Sequence, residues 1–341
     1  MKSYFLVQPG CIELREVPTP KPELGELIIK VEVALTCGTD LKAFRRGHPK
    51  MPMPTPFGHE FSGTIVDAGA SANGYSEGDA VMGVPTAPCG DCYFCRRNQQ
   101  NLCSDTMKNM VLGAYSEFIK IPRQIVENNL FHKPDFLSYE SAAIIEPLAC
   151  VVHGMEPHTI REDDTVLIIG AGGIGMMHIL LAREKGAGNI LIAGKHAGRL
   201  ALAKELGANF TIDASEENNR EWVRELTRGV GANWVFECTG RPAVWEQAVT
   251  MAARGGTVVL FGGCPTGTEV TFDTARLHYD EISLVGSFHF TPQDVAKAYQ
   301  LLVEKRLDVQ KLITDNYPLS DLERAFDLLI HGKGIKFAIQ P

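Results

Sequence analysis

The chain reads as an α/β protein with a β-rich domain and a doubly wound parallel-sheet domain. Three observations predict this. Short β patterns punctuated by Gly and Pro fill the chain to about residue 146. A strand, glycine turn, helix rhythm takes over from about residue 164. Four closely spaced cysteines interrupt the first part. A length of 341 residues suits two domains.

The elements follow in order. Residues 26–33 form an alternating strand pattern, and 63–67, 79–84 and 115–121 are further short β runs, as in an irregular barrel. Residues 165–169 form an apolar strand and 174–185 a helix. A strand at 190–193 and a helix at 199–206 come next, and strands at 210–212, 234–237, 257–261 and 282–285 continue the series. Such alternation implies a parallel sheet with helices on both faces. The tail holds two helices. The second opens with Ser320-Asp321-Leu322-Glu323, a capping-box sequence, and ends near Gly332 and Gly334.

Cys89, Cys92, Cys95 and Cys103 read Cys-x2-Cys-x2-Cys-x7-Cys, a spacing that wraps one tetrahedral zinc. Gly90, Asn98 and Asn101 permit the turns between them. Four protein ligands leave no open position, so this zinc is expected to be structural, in a lobe at about 85–105.

Bulk properties narrow the function classes. Hydrophobic residues make up 45% of the chain, enough for substantial cores. A net charge of -8 gives no electrostatic case for nucleic acid. No apolar run reaches membrane-spanning length, and residues 1–10 lack the apolar core of a signal peptide. The expectation is a cytoplasmic protein with neither nucleic-acid nor membrane partners. Its nine cysteines then serve as metal ligands or structural thiols.

Gly170-Ala171-Gly172-Gly173-Ile174-Gly175 fits G-x-G-x-x-G. With 33 glycines in the chain the pattern alone is weak, but here it follows a strand and opens a helix. The first glycine allows the turn, the second admits a pyrophosphate, and the third lets helix and strand pack closely. This is the Rossmann context for a dinucleotide. NAD binders usually place an acid at the end of the second strand. Here Ile190-Leu191-Ile192-Ala193 is followed by Gly194, Lys195 and Arg199. The missing acid, the room at Gly194 and the two cations favour a 2′-phosphate. NADP(H) is therefore expected over NAD(H).

Cys37-Gly38-Thr39-Asp40, Gly58-His59-Glu60 and Glu146-Pro147-Leu148, with the cysteine run and the glycine turn in this order, resemble the zinc-dependent medium-chain dehydrogenases. The resemblance covers essentially the whole chain. Glu146-Pro147-Leu148 is similar to the sorbitol and polyol dehydrogenase branch, with threonine dehydrogenases as close relatives. The resemblance implies a GroES-like catalytic domain at 1–146 and 287–341, a Rossmann domain at 147–286, and a cleft between them. It implies two zinc ions per chain. Cys37 and His59 would hold the catalytic one, with Glu60 as a direct or exchangeable ligand and Glu146 as a ligand directly or through water. Pro147 disfavours helical geometry at Glu146, which is expected to project from a chain break. Thr39 matches the hydroxyl that accepts the substrate proton; its other reading is a cap for a helix beginning near Asp40. Lys42 stands where several relatives have a proton-passing histidine. Proton exit then runs either through ribose hydroxyls and water or through Lys42 itself.

Softer correspondences remain. Cys238 and Thr239 end a strand at the carboxyl edge of the sheet, Gly262 and Phe288 resemble nicotinamide-pocket residues, and Lys336 matches a base that pairs with cofactor phosphate. Lys42, Phe57, Phe288 and His289 are expected to shape the substrate pocket. The implied activity is reversible hydride transfer between an alcohol and its ketone or aldehyde, with a secondary alcohol, polyol or sugar derivative as substrate. Relatives are homodimers or homotetramers, for which 282–285 could be the joining edge. Two alternatives share the fold: a zinc-free quinone or enone reductase, and a cofactor-binding protein without catalysis. Cys37, His59 and Glu146 argue against both.

Overall fold

The computed structural model describes residues 1–47, 51–70, 73–215 and 219–341. Two units divide the chain. The first comprises Met1–Cys150 and His289–Pro341, the second Val151–Phe288.

A seven-stranded sheet organises the first unit. Strand Leu27–Leu35 lies at its centre and pairs antiparallel with Phe61–Ala68, Phe118–Ile121 and Lys336–Gln340. The sequence suggested one-sided alternation there. Instead Leu27, Ile28, Ile29, Val31, Val33, Ala34 and Leu35 are all buried, with Lys30 exposed. A strand covered on both faces reads as a near-continuous apolar run, and each such side chain contributes roughly 1.5–3 kcal/mol. Phe57, Tyr115 and Phe326 form an edge-to-face cluster with centroids 5.5, 5.7 and 5.9 Å apart. Phe57 is fully buried in this core, so the expectation that it shapes a substrate pocket is corrected.

The tail differs from expectation in one cap. Leu319–Asp321 is a 3-10 turn that runs directly into helix Leu322–Ile330, and Asp321 makes no side-chain cap bond. Ser320 therefore sits inside a turn, where it cannot cap. The reciprocal capping box forms at helix Pro292–Val303 instead, between Thr291 and Asp294.

The second unit is a six-stranded, all-parallel sheet. Its order is Phe210–Asp213, Asn189–Gly194, Thr165–Ile169, Ala232–Glu237, Ala252–Leu260, Ser283–Gly286. The chain starts in the middle and winds outward both ways, so Thr165–Ile169 lies at the switch point. All five of its residues are buried. Ligands of such sheets bind beyond the carboxyl ends of the strands at this point.

Candidate active site

Cys37 is the N-cap of helix Gly38–Arg46, and its sulfur accepts the Thr39 amide at 3.3 Å. The cap role once open to Thr39 thus belongs to Cys37. Burial and the neighbouring Glu60 push this thiol up from its ordinary value, against the pull of His59 and Lys336. Gly58 precedes His59 with φ +90, and a Cβ on it would lie 2.7 Å from the Tyr115 ring. Only glycine satisfies both conditions. His59 Nδ1 is 2.8 Å from Asp40 Oδ1, and both side chains are buried. An imidazole that donates from Nδ1 keeps the Nε2 lone pair for a metal.

Ligand atoms of Cys37, His59 and Glu60 all lie within 4.8 Å of one another. Glu60 is fully buried. Its Oε2 accepts Lys336 Nζ at 2.5 Å, while Oε1 is buried and, among the described residues, has no hydrogen-bond partner. An orphaned carboxylate oxygen beside a thiol and an imidazole is the donor set a zinc ion satisfies. His59 Nε2 also lies 4.0 Å from Glu146 Oε2. Burial raises the Glu146 carboxyl to about 7, with Glu60 and Asp40 adding to the rise against the opposing pull of His59 and Lys336.

Two expectations change here. Glu146 does not project from a chain break; it lies in the first turn of helix Ile145–Met155. Pro147 is tolerated because the first amides of a helix have no partner within it. Lys336 is buried in the first unit, where its ammonium bonds Glu60 and the Thr36 carbonyl at 3.0 Å. Its observed partners are thus a carboxylate and a main-chain oxygen, where the sequence suggested a cofactor phosphate. His289 Nε2 bonds Thr86 Oγ1 at 2.7 Å, and Lys42 is half-buried on helix Gly38–Arg46. Asp40 and Tyr115 carry no role in the sequence reading, although Asp40 closes the Cys-Gly-Thr-Asp motif one turn into the helix.

The four-cysteine lobe gathers Cys89, Cys92, Cys95 and Cys103, whose sulfurs all lie within 4.8 Å. Among the described residues no cysteine is in a disulfide. Gly90 and Asn98 take left-handed conformations at the turns. Main-chain amides of Cys89, Cys92 and Asp105 donate to the sulfurs of Cys103 and Cys89. Backbone hydrogen bonding at Cys95 and Ser104 lowers the Cys92 thiol to about 6.

In the second unit, Gly172 is the N-cap of helix Gly173–Glu184. A Cβ on Gly172 would meet nothing within 4 Å, whereas one on Gly175 would strike the Gly170 carbonyl. The glycines thus divide as expected between an open approach and a tight packing contact. Beside them lies a cavity of about 790 Å³. Gly170, Gly172, Gly194, Lys195, Arg199, Cys238 and Thr239 line it. Among the described residues Gly173, Ile174, Gly175, Gly262 and Phe288 are not part of that lining. Gly194 has a packing reason to be glycine, since a Cβ there would overlap that of Ala171. Glu237, fully buried, accepts the Thr239 amide at 2.7 Å and the Gly240 amide at 3.1 Å, which fixes the Cys238–Gly240 turn against the cavity. Arg220 and Arg241 also line the cavity and were missed. Arg241 directly follows the strand-end turn, a position that could have flagged it.

The family descriptions match in the same two places. Residues 23–135 match the alcohol dehydrogenase GroES-like domain, and residues 173–304 the zinc-binding dehydrogenase domain. A sorbitol dehydrogenase of Halalkalibacterium halodurans is 34% identical over 97% of this chain and 96% of its own. The chain belongs to the zinc-dependent medium-chain dehydrogenase family. Within this dehydrogenase family, a D-arabitol-phosphate dehydrogenase of Enterococcus avium is 33% identical over 100% of this chain and 97% of its own. A protein of Sinorhizobium meliloti, described as a zinc-binding dehydrogenase and solved bound to NADP, superposes with a TM-score of 0.88 at 28% identity, covering 100% of this chain and 99% of its own. Among the described residues no helix is long and apolar enough to cross a membrane.

Proposed function

We propose that the protein is a zinc-dependent oxidoreductase that moves a hydride between an alcohol and NADP(H), with NADP(H) preferred over NAD(H). The observation that carries this reading is the convergence of Cys37, His59 and the orphaned oxygen of Glu60 within 4.8 Å. Cys37 and His59 hold a catalytic zinc, Glu60 and Glu146 complete or exchange within its shell, and the four-cysteine lobe holds a second, structural zinc. Bound zinc supplies a Lewis acid that lowers the pKa of a hydroxyl, and the nicotinamide supplies a hydride acceptor. Thr39 takes the hydroxyl proton. Asp40 holds the His59 ring, and Lys336 neutralises one oxygen of Glu60. On the cofactor side, Gly172 and the helix behind it receive the pyrophosphate, while Lys195 and Arg199 face the 2′-phosphate.

The substrate class is a secondary alcohol, polyol or sugar derivative. Support comes from the sorbitol and arabitol-phosphate dehydrogenase relatives. Lys42, half-buried one turn beyond Cys37, keeps an anionic sugar derivative within that class. The protein acts as a homodimer or homotetramer. Elemental analysis should find two zinc per chain. A panel of polyols, polyol phosphates, secondary alcohols and threonine should show turnover with a higher kcat/KM for NADP than for NAD. Quinone reduction by a metal-free protein, or cofactor binding without any turnover, would overturn the proposal.

A further inference from the structure

We propose that Tyr115 is a positioning residue for the metal-binding imidazole, acting through Asp40. The inference rests on the reading of His59 as a zinc ligand. The Tyr115 hydroxyl lies 2.7 Å from Asp40 Oδ2 and 3.0 Å from the Leu35 carbonyl oxygen. Both neighbours are acceptors, so the phenol donates its single proton to them. The shorter bond goes to the charged partner, as charge-assisted bonds do. Asp40 then presents its other oxygen to His59 Nδ1 at 2.8 Å. The carboxyl torsion of an aspartate is soft, so one donor alone does not fix its plane. With Tyr115 on one oxygen and His59 on the other, the carboxylate plane is set, and with it the direction of the imidazole Nε2.

The tyrosine is itself held from several sides. Its ring packs edge-on against Phe57 and Phe326. Its amide donates to the Phe57 carbonyl at 3.0 Å, and its carbonyl accepts the Tyr4 amide at 2.9 Å. The face of the ring covers Gly58, leaving no space for a Cβ there. The residue before the imidazole and the carboxylate behind it are thus both registered against one side chain. A phenylalanine at 115 keeps every one of these contacts except the hydroxyl, so Tyr115→Phe isolates the proposed bond.

The test uses the full chain loaded with cobalt(II), whose ligand-field bands report the geometry around the ion. Bands absent from a Cys37→Ser variant define the site and separate it from the four-cysteine lobe. Tyr115→Phe should shift those bands and speed removal of the ion by a chelator about tenfold, the lower range for loss of an outer-shell partner. Asp40→Ala should do the same to a greater degree. Tyr115→Phe added to Asp40→Ala should then change nothing further, because the intermediary is already gone. Far-ultraviolet circular dichroism and thermal unfolding confirm that each variant is folded; Asp40→Leu, which likewise offers Tyr115 no acceptor, replaces Asp40→Ala if the latter is not. Bands and release rate of Tyr115→Phe identical to wild type would overturn the inference while leaving the zinc reading intact. A full tenfold effect of Tyr115→Phe on top of Asp40→Ala would overturn it too, since the tyrosine would then act through packing. Wild-type protein with no Cys37-dependent bands would sink both readings.

Discussion

The two glycines of the fingerprint should fail in opposite ways when changed to alanine. Gly172 faces open space, and its backbone is extended, which suits alanine. Reduced unfolded-state freedom is worth about 0.4–1 kcal/mol, and the poorer N-cap costs about the same, so stability should barely move. The new methyl would, however, stand in the open space at the helix N-terminus where the proposed pyrophosphate approaches. Losing one or two charge-assisted hydrogen bonds, at roughly 1.5–3 kcal/mol each, weakens nucleotide binding at least tenfold. Gly175 is the reverse case. Its added methyl overlaps the Gly170 carbonyl, a backbone atom that moves only if helix Gly173–Glu184 lifts from strand Thr165–Ile169. Overpacking of that kind costs about 1–3 kcal/mol, and each kcal/mol lowers Tm by about 2–4 °C in domains of 150–250 residues. Binding falls as well, since the anion site is displaced. Thermal unfolding and NADP titration by calorimetry measure both quantities. A Gly172→Ala protein that binds NADP like wild type, or a Gly175→Ala protein with wild-type Tm, would refute this division of roles.

Three further outcomes are expected. Arg199→Ala should weaken NADP binding roughly 10–100-fold while leaving NAD within about threefold, as one charge-assisted contact is worth about 1.5–3 kcal/mol; equal losses for the two cofactors in a fluorescence titration would show that Arg199 does not read the 2′-phosphate. Cys37→Ser and Cys95→Ser should each lower the zinc content from two per chain to one by elemental analysis, and a variant that keeps both ions removes its cysteine from the ligand set. His178 is fully buried against Phe236 and Phe261, and burial lowers its pKa to about 4. The unfolded chain therefore binds the extra proton between about pH 6.5 and 4, and stability falls as pH falls through that window. From pH 7.5 to 5 the loss from this group is about 2 kcal/mol, read as the shift in urea midpoint. His178→Leu should lack that share of the acid sensitivity, and an unchanged pH slope would show that His178 does not supply it.

The parallel sheet was legible because its strands are buried apolar runs set off by glycine turns, a signal that local sequence carries. Thr165–Ile169 and the fingerprint glycines fall where that pattern puts them. The four-cysteine lobe was legible for a related reason, since its ligands are neighbours in sequence. What the sequence hid depends on distant segments meeting. Phe57 looked like a pocket residue because nothing local shows Tyr115 and Phe326 closing over it. Lys336 looked like a phosphate ligand because its partner, Glu60, is 276 positions away. Glu146 looked like a residue at a break because Pro147 usually disfavours helix before it; whether a helix begins one residue earlier is decided by packing. Ser320 to Glu323 spelled a capping box, yet a preceding 3-10 turn had already taken the cap position. In each case the local rule was sound and a tertiary contact outweighed it.

The charges around Glu60 give the strongest physical reason to place a cation there. Asp40, Glu60 and Glu146 are three buried carboxyl groups, and Cys37 adds a thiol that can ionise. Burying each ion costs several kcal/mol unless partners offset it. Asp40 has His59 and Tyr115, and one oxygen of Glu60 has Lys336. The other Glu60 oxygen has no hydrogen-bond partner among the described residues, and Glu146 is driven towards its neutral form by burial. A purely structural ion network would gain nothing from such an orphan, and an apolar replacement would pack there at lower cost. A divalent ion bound by Cys37, His59 and Glu60 would satisfy the orphan, with the sulfur and the carboxylate as its anionic donors. Its binding must therefore appear as folding free energy. At a free zinc concentration 1,000 times Kd the gain is about 4 kcal/mol. Protein stripped of metal by a chelator should regain that stability on titration with zinc, followed by thermal unfolding. Cys37→Ser should recover only the share due to the four-cysteine lobe. Identical recovery in wild type and Cys37→Ser would mean that the buried cluster holds its charges without an ion, and the assignment of the reaction to this site would fall with it.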